Sequence, residues 1–445
     1  MIISHSHVIV NRVHNNFIFQ IHGTVLSNDL TFQLTLWYNI VILWYYIVVL
    51  PSVNINTHDF KNGDIKDMAF ATNAASMRDS NRKLILNLLR IDPMSRADLA
   101  EKTHLTRASI TLIIDELISD GLVEEVSTIE SEALGRKRTR LAICHNARYA
   151  FGVHIQRKNC SVGICDLYGD IVRQESFDTL SKAPGEVIKD IGKRIRLIQD
   201  QCGIPDALIL GIGISAPGPI DYESGVILNP PNFKGWSNIP VCDMLTKLTG
   251  YTAILEKDAN ARTIEERFFG AARDCESFLL IQVRSGVGAG VMVRDKLYRG
   301  SRGLGAELGH VSLNANGPTC SCGNHGCLEN YFLDILTGSR FASWDELAKD
   351  AKSPDAKSIL DRAAEYFSVA IINAFNLYDI EKVIIVGKAL GNARSLLVER
   401  INRYISDRIL VRKNAEDALI VDGITASSCR TGATAMLYSV FCDRG

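Results

Sequence analysis

The stretch Glu307-Leu-Gly-His310-Val-Ser-Leu-Asn-Ala-Asn-Gly-Pro-Thr-Cys320-Ser-Cys322-Gly-Asn-His325-Gly-Cys327-Leu-Glu329 decides how the rest of the chain is read. Between His310 and Cys327 it packs three thiols and two imidazoles into eighteen residues. A closed structural zinc site takes four nitrogen or sulfur ligands and no water, and His310, Cys320, Cys322 and Cys327 form such a set. The interspersed glycines let the backbone fold tightly enough to aim three sulfurs at one point. On spacing alone His325 could replace His310 as the nitrogen ligand. The expected cofactor is a structural Zn2+. Two carboxylates, Glu307 and Glu329, flank the ligands.

Far upstream the pattern is helical. Leu84, Ile85, Leu88 and Leu89 recur at helical spacing and Pro93 stops the run. Ser95 caps a second helix over Arg96 to Thr103, with Leu99 and Ala100 facing inward. Thr106 caps a third, whose inward face is Ile110, Ile113, Ile114 and Leu117. This is helix-turn-helix spacing. Thr106, Arg107, Ala108, Ser109, Thr111 and Leu112 then open the third helix, where a recognition helix meets base edges in the major groove. Arg136, Lys137 and Arg138 lie at the tip of a basic wing between Gly135 and Leu141, suited to neutralising phosphates. The implied partner is operator DNA.

After Asn146 the chain alternates strands and helices: Ala150 to Ile155, Ser161 to Asp166 and Leu208 to Ser215 read as strands, Pro184 to Gln201 as a helix. That alternation means a layered α/β body. The motif Glu307-Leu-Gly-His310 through Cys327-Leu-Glu329 resembles the signature of the ROK family, named for repressors, open reading frames and kinases. The resemblance runs from about Met77 to the C-terminus. It implies a winged helix-turn-helix followed by a two-lobed, actin-like (ribonuclease H-like) sugar-kinase fold. Gly211 to Asp221 and Asn229 to Trp236 match segments that line the family's sugar cleft.

The resemblance also implies roles. Counterparts of Glu307, His310 and Glu329 bond sugar hydroxyls in the family, and the zinc loop orients them. Asp258 aligns with the aspartate that takes the proton from the sugar hydroxyl in the family's kinases. Lys257 stands where the family usually has a sugar-binding Asn, and an ammonium can only donate. The nucleotide side departs in three places. The family's Asp-x-Gly-Gly-Thr phosphate loop reads His154-Ile-Gln156-Arg157-Lys158, its Gly-Thr-Gly-x-Gly reads Arg284-Ser285-Gly286-Val-Gly288, and its Gly-Gly reads Gly387-Lys388. Phosphoryl transfer is mostly positioning and electrostatics, so little rate would remain without these parts.

The expectation is a sugar-responsive transcriptional regulator, not an enzyme, with a monosaccharide or sugar phosphate as effector. A ROK-type hexose kinase with an attached regulator is the alternative, and a purely protein-contacting regulator a third reading. A two-fold operator implies a homodimer or homotetramer.

The 445 residues suggest more than one domain: a leader at 1–76, the DNA-binding domain at 77–147 and the effector domain at 148–445. A net charge of −1 excludes a global field for nucleic acid, so contact must come from a local patch. Eleven cysteines without a pairing pattern fit a reducing cytoplasm. The leader holds the apolar stretch Leu34 to Leu50, borderline as a membrane span and equally suited to a buried strand pair. Its Ile, Asn, Tyr and Phe content is also what translated AT-rich DNA yields, which makes Met68 or Met77 the natural first residue. On that reading the protein has no membrane association.

Overall fold

The computed structural model describes residues 62–126, 139–406, 408–409, 420–423 and 428–442, with two further strands at 7–13 and 16–22. The chain divides into two compact units, Met1–Ala74 and Ala75–Gly445. In the first, β1 (His7–Val13) and β2 (Asn16–His22) pair as an antiparallel hairpin. The Leu34 to Leu50 stretch lies outside the described residues. Among those described, no helix is long and apolar enough to cross a membrane.

The second unit begins within α1 (Asn62–Ile91), a helix that starts well before Met77. Its buried face is Ile85, Leu86, Leu89 and Arg90, while Leu84 is exposed. Then come β3 (Met94–Ser95), α2 (Arg96–Thr103), α3 (Arg107–Ser119), β4 (Val123–Val126) and β5 (Arg140–Ile143). Ser95 caps α2 in a reciprocal capping box with Asp98, and Thr106 caps α3 through the Ser109 amide. Leu99 and the Ile110, Ile113, Ile114 and Leu117 face of α3 are buried together, as their spacing predicts. The three strands form one antiparallel sheet in the order β3-β5-β4. This is the element order of a winged helix-turn-helix; the wing tip, with Arg136, Lys137 and Arg138, lies outside the described residues.

The body repeats one topology twice. Strands β6 (Tyr149–Ile155), β7 (Asn159–Asp166) and β8 (Ile171–Asp178) form an antiparallel meander. After α4 (Pro184–Cys202), β9 (Ile209–Ala216) pairs parallel to β6. The short strands β10 (Ile220–Asp221) and β11 (Val226–Ile227) and α5 (Val241–Thr249) then lead to β12 (Ala253–Lys257), parallel to β9. The sheet order is β12-β9-β6-β7-β8.

Helix α6 (Asp258–Phe269) crosses from this lobe to the next. There β13 (Phe278–Val283), β14 (Val287–Val293) and β15 (Lys296–Leu297) form the second meander. They are followed by α7 (Leu328–Leu333), α8 (Trp344–Lys349), α9 (Pro354–Tyr378), β16 (Lys382–Val386), α10 (Ala393–Ile405) and β17 (Ile420–Asp422). Its order, β15-β14-β13-β16-β17, with parallel pairs β13–β16 and β16–β17, reproduces the first lobe. The final helix, α11 (Cys429–Phe441), returns to pack on the first lobe's sheet.

Glycines fix that last contact. A Cβ on Gly152 would collide with the Cys429 carbonyl, and one on Gly432 with the Val153 backbone. Helix and sheet therefore touch backbone to backbone, and either glycine replaced by alanine would force them apart.

Candidate ligand and metal site

His310 closes a 3-10 turn, Leu308–His310, that follows Glu307. The three cysteines come from the loop beyond, with Cys327 at the N-cap of α7. One ligand atom from each of His310, Cys320, Cys322 and Cys327 falls within 4.8 Å of every other. The Cys322–Cys327 sulfurs are 3.8 Å apart and His310 Nδ1 is 3.7 Å from the Cys320 sulfur. Zinc–sulfur bonds of about 2.3 Å in a tetrahedron put sulfurs about 3.8 Å apart, so the four residues fit a zinc ion. With Nδ1 on the cluster side, Nε2 of His310 is the nitrogen left for a ligand. The alternative nitrogen, His325, is not in the group: it is exposed, and its Nδ1 lies 3.4 Å from the Thr319 hydroxyl.

The other predicted ligand-binding residues are set around this loop. Lys257, the last residue of β12, is buried and donates from Nζ to Glu307 Oε1 at 2.9 Å and to the Gly305 carbonyl at 3.3 Å. The departure from the family's usual residue thus neutralises the Glu307 carboxylate. Asp258 opens α6, accepting at Oδ1 from the Ala259 amide at 2.8 Å. Glu329, in the first turn of α7, accepts from the Val287 amide at 2.7 Å. A side chain at Gly286 would meet that carboxylate and have to push it aside.

Beneath these residues lies an ion pair that the sequence reading missed. Glu256, 1% exposed, accepts from Arg299 Nε at 3.0 Å and from its terminal nitrogen at 2.8 Å, and from Asn260 at 2.9 Å. In the sequence Glu256 is one of three consecutive charged residues, and it is the parallel β9–β12 pairing that takes it inside.

Three loops meet on the opposite side. Buried His154, at the end of β6, bonds Ser215 through Nδ1 at 3.0 Å, and its Nε2 lies 3.4 Å from an Arg284 terminal nitrogen. Burial, then the Arg284 and Arg262 charges, hold the His154 imidazole well below its usual pKa, so it is neutral. Burial also lowers the pKa of the Arg284 guanidinium, opposed chiefly by the charge of Asp258. Arg157 bonds the Pro231 carbonyl at 3.1 Å and reaches the Ser285 hydroxyl at 3.4 Å, tying the first lobe's loops to the second's. Nearby, residues Asn229 to Ser237 line a cavity of about 540 Å3, with the Phe233 and Trp236 rings stacked at 4.7 Å.

On the third helix the structure sorts the predicted readers. Arg107, Ala108, Thr111 and Leu112 are exposed. Ser109 is not: it is half-buried, its amide bonds Thr106 Oγ1 at 3.1 Å and its hydroxyl lies 2.9 Å from the same oxygen. The two hydroxyls thus face each other at the start of α3.

Comparison with known proteins agrees with this geometry. The profile described as "ROK family" matches residues 150–439, so the chain belongs to the ROK family. Among the relatives, the xylose repressor of Bacillus subtilis (strain 168) is 26% identical over 85% of this chain and 99% of its own length. The transcriptional dual regulator NagC of Escherichia coli K12 is 25% identical over 72% and 82%. A glucokinase of Thermotoga maritima is 32% identical over 58% and 87%. Of the solved structures, a ROK transcriptional regulator described as a homologue of the E. coli MLC protein superposes with a TM-score of 0.68, at 24% identity over 82% and 96%. A ROK hexokinase from Thermus thermophilus gives 0.55, at 26% over 65% and 97%.

Proposed function

We propose that this protein is a sugar-responsive transcriptional repressor of carbohydrate uptake or catabolism genes, reading operator DNA through α2 and α3. The carrying observation is the joining, in one unit, of helix-turn-helix elements to a two-lobed body whose phosphate-side loops hold Arg157, His154 and Arg284. The xylose repressors span 82–85% of the chain and NagC 72%, against 58% for the Thermotoga maritima glucokinase and 65% for the Thermus thermophilus hexokinase, which supports the same reading. A monosaccharide or sugar phosphate would sit near Asp258, Lys257, Glu307, His310 and Glu329, with zinc holding the loop. The working form is a cytoplasmic homodimer or homotetramer, as a two-fold operator requires.

Differential scanning fluorimetry against D-xylose, D-glucose, N-acetyl-D-glucosamine and their phosphates tests this, each with and without Mg-ATP. Saturation at 100 times Kd adds about 2.7 kcal/mol, a readily measured shift. A shift with one sugar, unchanged by nucleotide, is the expected outcome. A shift that grows when sugar and Mg-ATP are combined would favour the kinase reading, because His154 and Arg284 would then not prevent nucleotide binding.

Arg107 is the base-reading candidate on α3. Arg107→Ala should weaken operator binding by about 10- to 100-fold, the worth of one bidentate contact at about 1–3 kcal/mol. Its binding to unrelated DNA should change much less. Equal losses on both, measured by fluorescence anisotropy, would make Arg107 a phosphate contact.

A further inference from the structure

Helix α6 has an unusual position for a segment so rich in charge. From Ala259 to Phe268 every residue is buried. Its charges are matched inside: Arg262 pairs Glu265 at 2.7 Å, Thr431 of α11 donates to Glu265 at 2.8 Å, and Arg267 pairs Asp295 at 2.6 Å. A helix gripped on all sides moves as one body. Its first residue is Asp258, in the candidate sugar site. Its far end, twelve residues and about 18 Å on, holds the DNA-binding domain.

The hold is made by Arg90, near the end of α1. Arg90 is 7% exposed and donates to the Phe268 carbonyl at 2.7 Å. Its guanidinium carbon lies 4.4 Å from the Phe268 ring centroid and 5.8 Å from that of Phe441 on α11. Asn87, one turn back on α1, accepts from it at 3.0 Å. Burial and the neighbouring Arg267 charge lower its pKa to about 10. Burying a guanidinium is costly when a surface interface could be built from leucines, and Ile85, Leu86 and Leu89 already supply those on the same helix. A planar cation that bonds a helix-terminal carbonyl and stacks on its ring fixes direction, which apolar packing does not.

We propose that Arg90 is a positioning residue that couples the ligand site to the DNA-binding helices: a ligand at Asp258 displaces α6, and Arg90 carries the displacement into α1 and onward to α2 and α3. This rests on the regulator reading above. A second tie, the Tyr168 hydroxyl donating to the Ile143 carbonyl at 3.1 Å, joins β5 to the first lobe's meander and gives α1 a fixed point to move against.

The test measures coupling, not affinity alone. With the full chain and an operator duplex selected by it from random DNA, operator Kd is measured with and without saturating D-xylose, D-glucose or N-acetyl-D-glucosamine. Sugar Kd is measured with and without the duplex, since linkage makes the two ratios equal. In wild type the active sugar should change operator Kd by about tenfold or more. Arg90→Met should bind both ligands and bring the ratio to within about twofold of one, and Arg90→Lys, which keeps a buried donor and cation, should restore part of it. A wild-type ratio retained in Arg90→Met overturns the coupling role while leaving the regulator reading intact. No response to any sugar in wild type overturns that reading and this inference with it. Should Arg90→Met lose its fold, hydrogen exchange on wild type decides: sugar should change protection at 86–91 as well as at the start of α6. An operator response without any change at 86–91 would overturn the proposal.

Discussion

Replacing Cys322 with alanine should abolish the response to sugar while leaving sugar-free operator binding in place. The four ligands lie at distances that suit zinc, and they cross-link a loop that is otherwise held by two isolated bridges, Ser312–Cys327 and Thr319–His325, and a few hydrogen bonds. A structural zinc contributes about 10–16 kcal/mol of binding free energy to its local fold, so a missing thiolate should disorder the loop. Two candidate ligand groups would go with it. His310 would lose the partner that orients its ring, and Cys327, the N-cap of α7, would no longer fix the turn that carries Glu329. Leu99, Ile110, Ile114 and Leu117 of the helix-turn-helix pack in a core that continues to Phe268 and Phe441 and includes none of these ligands. Zinc content by mass spectrometry should fall from one per chain toward zero, and the sugar-induced shift in melting temperature should vanish. Retained sugar affinity in the zinc-free variant would show that the metal is incidental to the site.

The parts of this fold legible in the sequence were those with a local cause. The caps at Ser95 and Thr106, the buried stripe of α3 and the strand from Tyr149 to Ile155 depend on residues a few positions apart, and each lies within a residue or two of its expected place. The cluster of His310, Cys320, Cys322 and Cys327 was legible for the same reason, its spacing being local. What stayed hidden depends on partners distant in the chain. Helix α6 reads as a surface segment, with seven charged or polar side chains among twelve, and is buried because α11, more than 160 positions later, covers it. Arg90 reads as a C-terminal charge on an amphipathic helix and is instead enclosed by Phe268 and Phe441. The duplicated sheet topology was also not legible, since the lobes share strand order and not any repeated motif.

The largest loss of stability should come from Arg299→Ala. Arg299 lies in the second lobe, just after β15, and holds Glu256 at the end of the first lobe's β12, so the pair ties the lobes together directly below Lys257 and Asp258. Both side chains are nearly closed to solvent, at 7% and 1%. Removing one partner of a buried pair leaves an uncompensated charge and costs about 3–5 kcal/mol. Asn260 and the Lys257 amide remain on Glu256, but neither brings a positive charge. The melting temperature should therefore fall by about 10 °C for a body of this size. The double variant Arg299→Met with Glu256→Gln should recover much of the loss, because what destabilises is the stranded carboxylate and not the missing bridge. Ligand affinity should separate from stability: the double variant should fold yet bind sugar more weakly than wild type, since the residues on either side of the cleft would no longer be held in register. A single variant that melts within about 1 °C of wild type would place Glu256 in contact with water, and a double variant with full sugar affinity would show that Lys257–Glu307 alone sets the spacing of the site.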